Sequence, residues 1–219
     1  MRLAVFDCDG TLVDGQADVC WAMERAFARA GLAAPDPQIV RRAVGLSLPV
    51  AVRNLAPELS EEQARAVTEF YRSSFRARRE EGLLDEPLYD GIAELLGNLR
   101  SAGWCLAVAT GKSDRGLAAC LAAHGIADLF VSLQTADRHP SKPHPAMLEA
   151  ALFEAGALPA QAVMIGDTSF DMLMARSAGV RAVGVNWGYH APAELIVSGA
   201  ISVADSAAAL EQALAEALP

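Results

Sequence analysis

One punctuation mark recurs along this chain and limits its architecture more than any other feature. ARAGL, RSAGW, AAHGI, FEAGA and RSAGV each close a helical pattern with a glycine and then an apolar residue; the glycines are Gly31, Gly103, Gly125, Gly156 and Gly179. A glycine just past a helix takes the left-handed conformation that other residues resist, and the apolar residue after it packs back on the last turn. After four of these stops an apolar strand is expected within a few residues, at Cys105–Ala109, Leu129–Leu133, Ala162–Ile165 and Arg181–Val185. A further apolar run, Leu3 to Phe6, opens the chain. Helix, glycine stop, short apolar strand and new helix is the rhythm of a parallel sheet with helices on its faces, so the spacing predicts an α/β fold.

The interval from about Asp14 to Gly82 breaks that rhythm. It holds no convincing strand, and apolar residues recur at helical spacing through Val19, Met23 and Phe27, then through Val67, Phe70 and Phe75. Ser60 with Gln63 offers a capping box before a helix that should run to about Arg79. A helical block inserted directly after the first strand is therefore expected over residues 15–82. Residues 1–14 and 83–219 would form the sheet-based core, and Asp85 to Asp90, with Pro87, would be the return link.

Composition narrows the function. The 219 residues are 53% hydrophobic and 21% charged, which is globular rather than disordered. A net charge of −9 argues against a nucleic-acid binder, which usually shows a basic face, but leaves room for a locally positive site that takes a small anion. No run approaches the length of a membrane span, and Asp7 and Asp9 interrupt the first apolar stretch, so neither a leader nor a membrane anchor is expected. The four cysteines, Cys8, Cys20, Cys105 and Cys120, form no CxxC pair and read as small apolar side chains. A cytoplasmic protein is expected.

Four polar stations stand where strands are expected to end or where a connection reaches the same edge. The first is Asp7-Cys8-Asp9-Gly10-Thr11, where Gly10 permits a tight turn. The second is Thr110-Gly111-Lys112-Ser113. It suggests a nucleotide-binding P-loop, but Leu106 stands where that motif needs its first glycine, and what remains is a hydroxyl and backbone N–H groups at a helix start. The third is Ser141-Lys142-Pro143-His144-Pro145, and the fourth runs from Gly166 through Asp167 to Asp171. In an open parallel sheet, ligands bind beyond the carboxyl ends of the strands. Asp7, Asp9, Asp167 and Asp171 crowded there against Lys142 would carry too much negative charge unless a cation joins them or a proton is held. Oxygen-only ligands favour Mg²⁺, which would let a phosphate dianion approach.

At these residues the chain resembles the haloacid dehalogenase superfamily, and within it the phosphatases that carry a helical cap after the first strand. DCDGT matches that family's DxDGT, VATGK its strand-end threonine, SKPHP its lysine station and GDTSFD its GDxxxD, in order and over essentially the whole chain. The resemblance implies a Rossmann-like core flanked by helices, with an inserted all-helical cap. It implies Asp7 as nucleophile, forming an aspartyl-phosphate, and Asp9 as the acid that protonates the leaving alcohol and then activates water. It implies Thr110, Gly111 and Lys142 as holders of the phosphoryl group. Asp7, Asp9 through its carbonyl, and Asp167 would ligate Mg²⁺, with Asp171 completing the set by orienting Lys142 or a metal-bound water.

An acid at Asp9 points to phosphate rather than carbon–halogen chemistry, because a halide leaves without a proton. The substrate implied is a small phosphorylated metabolite, the overall look being most like the phosphoglycolate phosphatases. A sugar phosphomutase resembling β-phosphoglucomutase, a pyrophosphatase and a non-catalytic phosphate-binding module stand as alternatives. Specificity is expected from the cap, where Arg41, Arg42, Gly45, Leu46, Ser47 and Arg53 form a candidate substrate face with Arg42 as the proposed contact. Trp187 and Tyr189 would either wall the pocket or pack in the core, and Asp14 would belong to the hinge or cap the first helix of the insert.

Overall fold

The computed structural model describes residues 1–218 of the chain. Strand β1 (Arg2–Phe6) is buried on both faces: Ala4 and Phe6 point into one apolar layer and Leu3 and Val5 into the other. That is why its sequence is a continuous apolar run rather than an alternating one. Five more strands lie parallel to it: β2 (Trp104–Thr110), β3 (Phe130–Thr135), β4 (Ala162–Gly166), β5 (Arg181–Val185) and β6 (Ser202–Ala204). The order across the sheet is β3-β2-β1-β4-β5-β6. The chain leaves β1 toward β2 and β3, then returns to the other side of β1 for β4. The switch point between β1 and β4 opens the crevice where such sheets bind ligands.

Helices α5 (Ile92–Ser101), α6 (Asp114–Ala123) and α10 (Ala207–Ala217) cover the Phe6 face through Leu96, Leu117, Leu210 and their neighbours. Helices α7 (Ala146–Ala155), α8 (Ser169–Ser177) and α9 (Pro192–Ser198) cover the Val5 face through Leu148, Met172 and Leu195. Each such fully buried side chain contributes about 1.5–3 kcal/mol relative to exposure. The five glycine stops all take a positive φ, between 65° and 82°. The five expected strands are present, within a residue or two at each end. Strand β6 lies outside the sequence expectation: it has three residues and only Ala204 is buried, too little to leave an apolar run. Its one signal is a further repeat of the stop pattern, Ser198-Gly199-Ala200.

Between β1 and β2 the chain inserts α1 (Gln16–Arg29), α2 (Pro37–Arg42), α3 (Leu48–Leu55) and α4 (Glu61–Glu80). They share an apolar core of their own, with Val19, Met23 and Phe27 from α1 against Val67 from α4. The Ser60 hydroxyl accepts from the Gln63 N–H at 3.2 Å and the Gln63 side chain accepts from the Ser60 N–H at 3.0 Å, the reciprocal box that starts α4. The links to and from this insert lie side by side: the Asp14 N–H donates to the Pro87 carbonyl at 2.9 Å and the Tyr89 N–H to that of Leu12 at 3.0 Å. Buried Asp18 pairs with Arg78 of α4 and accepts from the Asp85 N–H at 2.7 Å, tying the start of the insert to its end. Asp14 accepts from the Gln16 N–H at 3.3 Å and so sits in the hinge. No helix among the described residues is long and apolar enough to cross a membrane.

Candidate active site

The carboxyl ends of β1 and β4 bring three carboxylates together. Asp7, Asp167 and Asp171 are fully buried and offer oxygens within 4.8 Å of one another. Two carboxylates at that separation repel by about 3 kcal/mol at an effective dielectric near 20, so the cluster needs a counter-charge. Lys142 supplies one. Its ammonium, itself buried, donates to Asp171 Oδ1 at 2.6 Å and lies 3.0 Å from Asp7 Oδ1. Burial opposes that ammonium, but Asp171 and Asp7 together raise its pKa above the ordinary lysine value.

The remaining lone pairs are assigned with one exception. Asp171 Oδ2 accepts from the Thr168 N–H at 3.1 Å and its hydroxyl at 2.7 Å. Asp167 accepts from the Thr11 hydroxyl at 3.0 Å and the Tyr189 N–H at 2.9 Å. Asp7 Oδ1 accepts from the Cys8 N–H at 2.6 Å, but Asp7 Oδ2 is buried with no partner. One lysine does not balance three carboxylates. Burial pushes Asp7 up to about 7 against the pull of Lys142. Burial, then Asp171 and Asp7, push Asp167 well above the usual carboxylate range. The Asp7 and Asp167 carboxylates, both short of charge balance, and an Asp9 carbonyl with no hydrogen bond among the described residues form an oxygen-only donor set. Such a set fits a hard divalent cation such as Mg²⁺. Asp171, with both oxygens engaged, is placed to orient Lys142.

The glycines of the motifs have steric reasons. Gly10 has φ 80°, and a Cβ there would collide with the Asp167 carboxylate and the Tyr189 ring. At Gly111 a Cβ would stand 2.5 Å from the Leu46 carbonyl, so the loop between α2 and α3 rests directly on the turn after β2. That loop is also held by the Ser47 N–H, which donates to the Ser141 hydroxyl at 2.9 Å next to Lys142. Thr110, buried at the end of β2, accepts from the Lys112 N–H at 3.3 Å.

Sheet and insert enclose a cavity of about 440 Å³, within the range that takes small molecules. Asp9, Gly111 and Lys112 line it from the core, and Leu46, Ser47 and Arg79 are among its walls from the insert. Of the four aspartates only Asp9 is on the wall; the other three lie behind it. Arg42 does not reach the cavity. Its guanidinium makes a two-pronged ion pair with Glu194 of α9, at 3.2 and 3.0 Å, and Arg41 and Arg53 are not on the wall either. The expected substrate face keeps only Gly45, Leu46 and Ser47. Trp187 and Tyr189 pack behind the site: the Trp187 indole donates to the Thr11 carbonyl at 3.1 Å.

Four contributing residues lie outside the sequence expectation. Thr11 and Thr168 stand inside recognised motifs that assign them no role, although each satisfies a buried carboxylate. Lys112 belongs to the rejected P-loop pattern, yet its ammonium lies 2.9 Å from Asp9 Oδ1 and 2.5 Å from Glu86 Oε1. Glu86 gives no signal beyond its place in the return link.

A model of the haloacid dehalogenase-like hydrolases matches residues 4–185. A probable phosphatase, IndB, of Dickeya dadantii (strain 3937) is 37% identical over 198 residues, 88% of this chain and 84% of its own. A phosphoglycolate phosphatase of Vibrio vulnificus (strain CMCP6) is 31% identical over 218 residues, 96% of this chain and 94% of its own. Among solved structures, a predicted phosphoglycolate phosphatase from Haemophilus somnus 129pt superimposes with a TM-score of 0.84 at 26% identity, covering 97% of each chain.

Proposed function

The chain belongs to the haloacid dehalogenase-like hydrolases and is a phosphatase of that family, and from that premise we propose that it hydrolyses small phosphate monoesters through an aspartyl-phosphate on Asp7. The observation that carries the reading is the state of Asp7 at the β1–β4 crevice. One of its oxygens is fixed by Lys142 and the Cys8 N–H, and the other is free. That is how a carboxylate nucleophile must be held, oriented by one oxygen and reactive through the other.

In the first step Asp7 Oδ2 attacks phosphorus and the bond from phosphorus to the ester oxygen breaks. Asp9, on the cavity wall, gives its proton to the departing oxygen. In the second step Asp9 takes a proton from water, the water oxygen attacks phosphorus, and the Asp7–phosphate bond breaks to release inorganic phosphate. Thr110, the Gly111 N–H and Lys142 hold the phosphoryl oxygens throughout, because this chemistry depends on in-line positioning and charge neutralisation. Mg²⁺ held by Asp7, the Asp9 carbonyl and Asp167 would offset charge on the incoming phosphate. Residues 15–82 act as a cap that closes over the site and excludes water during the first step. We propose 2-phosphoglycolate as the leading candidate substrate, on the strength of the relatives' names, and the cytoplasm as its place of action.

The test is release of inorganic phosphate from an aryl phosphate and from a panel of small esters that includes 2-phosphoglycolate. Mg²⁺-dependent turnover that Asp7→Asn abolishes is the expected result. Equal turnover by Asp7→Asn would sink the mechanism. A low rank for 2-phosphoglycolate would remove the substrate and leave the mechanism standing.

A further inference from the structure

We propose that Lys112 is a positioning residue for proton transfer: it steers Asp9 by charge, while its hydrogen bond to Glu86 ties that steering to the link that carries the cap. The proposal rests on the reading of Asp9 as the acid that protonates the leaving group.

The geometry separates two kinds of contact at one ammonium. Lys112 Nζ donates a directed hydrogen bond to Glu86 Oε1 at 2.5 Å. It also lies 2.9 Å from Asp9 Oδ1, but off the direction of a hydrogen bond, so this buried oxygen has no hydrogen-bond partner. Lys112 therefore holds Asp9 by charge at its buried Oδ1, and Oδ2 is the oxygen left to exchange a proton with a leaving group or a water. All three side chains are shielded from solvent, at 8% exposure for Lys112, 11% for Asp9 and 6% for Glu86, so the attraction is little screened. Glu86 offsets the charge of the ammonium.

Glu86 sits where the insert rejoins the core. It lies in the return link between α4 and α5, and its carbonyl is bonded to the His124 ring of the core at 2.8 Å. Helix α4 reaches the same spot. Arg79 Nη2, buried and without a hydrogen-bond partner, stands 3.8 Å from Glu86 Oε2, and the Phe75 ring centre is 5.8 Å from Lys112 Nζ. Asp9, Lys112, Glu86 and Arg79 thus run in contact from the loop after β1 to the last turn of the cap's longest helix. Displacing α4 as the cap opens changes what Glu86 and Lys112 touch, and through them the place of Asp9. The acid is aligned when the cap is docked.

The measurement is kcat/KM on two esters with different needs for a proton. An alkyl phosphate that the wild type turns over releases an alkoxide, which must be protonated. p-Nitrophenyl phosphate releases a stable phenolate, which need not be. Lys112→Met keeps the length of the side chain and removes the charge. It should lose about 100-fold on the alkyl ester and less than about fivefold on the aryl ester. Lys112→Arg should recover most of the alkyl activity, and Glu86→Gln should show a smaller loss with the same bias. Equal losses on the two esters would overturn the proposal, because a structural or phosphate-holding lysine affects both alike. If Lys112→Met does not melt as a folded protein, Glu86→Gln replaces it: a bias toward the alkyl ester supports the proposal, and equal losses overturn it. Asp9→Asn separates the proposal from the reading beneath it. No ester bias in Asp9→Asn means the assignment of the acid has failed and the proposal with it. A bias in Asp9→Asn without one in Lys112→Met means that the proposal alone has failed.

Discussion

Two buried lysines of this protein are each shared between two carboxylates, and they differ in what those carboxylates belong to. Lys142 joins Asp7 at the end of β1 to Asp171 at the start of α8, both parts of the sheet-based core. Lys112 joins Asp9, two residues after Asp7, to Glu86 in the link from the cap. The first cluster has no movable member. The second has one carboxylate in the core and one in the link through which the insert returns to it. The division suits the chemistry proposed above: phosphoryl transfer to Asp7 would need fixed charge for every substrate, whereas protonation of the leaving group would need alignment only once the insert has closed over the site.

The largest effect is expected at Asp7, the proposed nucleophile. Asp7→Asn should cut turnover of every ester on the order of 10⁵-fold, read as inorganic phosphate release. Lys142→Met should cost about 10³-fold on alkyl and aryl esters alike. It should also destabilise the fold by about 3–5 kcal/mol, because it leaves buried carboxylates uncompensated, which urea unfolding would measure. A Lys142→Met loss that depended on the leaving group would erase the distinction between the two lysines. Adding Mg²⁺ to metal-free protein at about 100 times its dissociation constant should stabilise it by about 2.7 kcal/mol, seen as a rise in melting temperature that Asp167→Asn abolishes. A rise that survives Asp167→Asn would remove that residue from the cation site. The smallest effect belongs to Arg42→Ala. Its pair with Glu194 is half exposed, so stability should fall by less than about 1 kcal/mol. With the guanidinium away from the cavity, kcat/KM should stay within about twofold.

The parts of this molecule that are legible in its sequence are those whose causes are local. A glycine stop followed by an apolar run marks β2, β4 and β5, because burial on both faces demands an unbroken apolar strand; the edge strand β3, with Ser132 and Gln134 in it, is marked by its glycine stop and a shorter apolar start. The box at Ser60 and Gln63 marks the start of α4 for a similar reason, as donor and acceptor lie three residues apart. Strand β6 escapes because a three-residue edge strand needs no such run. Pairings across the fold are not legible. Lys142 gains meaning only beside Asp7, Asp167 and Asp171, and Arg42 reads as a substrate contact because nothing near it reveals Glu194, 152 residues away. Lys112 belongs to one local pattern, whose first glycine is missing. Its partners Asp9 and Glu86 converge on it only through the crossing of sheet and hinge.

The central claim is that Asp7 carries the phosphoryl group in transit. Its most direct test is to quench the enzyme in acid within milliseconds of mixing with substrate and map the phosphorylated peptide by mass spectrometry. The account predicts a phosphoryl group on Asp7 that is absent in Asp7→Asn and is lost on incubation with water. Turnover with no phosphorylated peptide under single-turnover conditions, or a phosphoryl group on another residue, would contradict it.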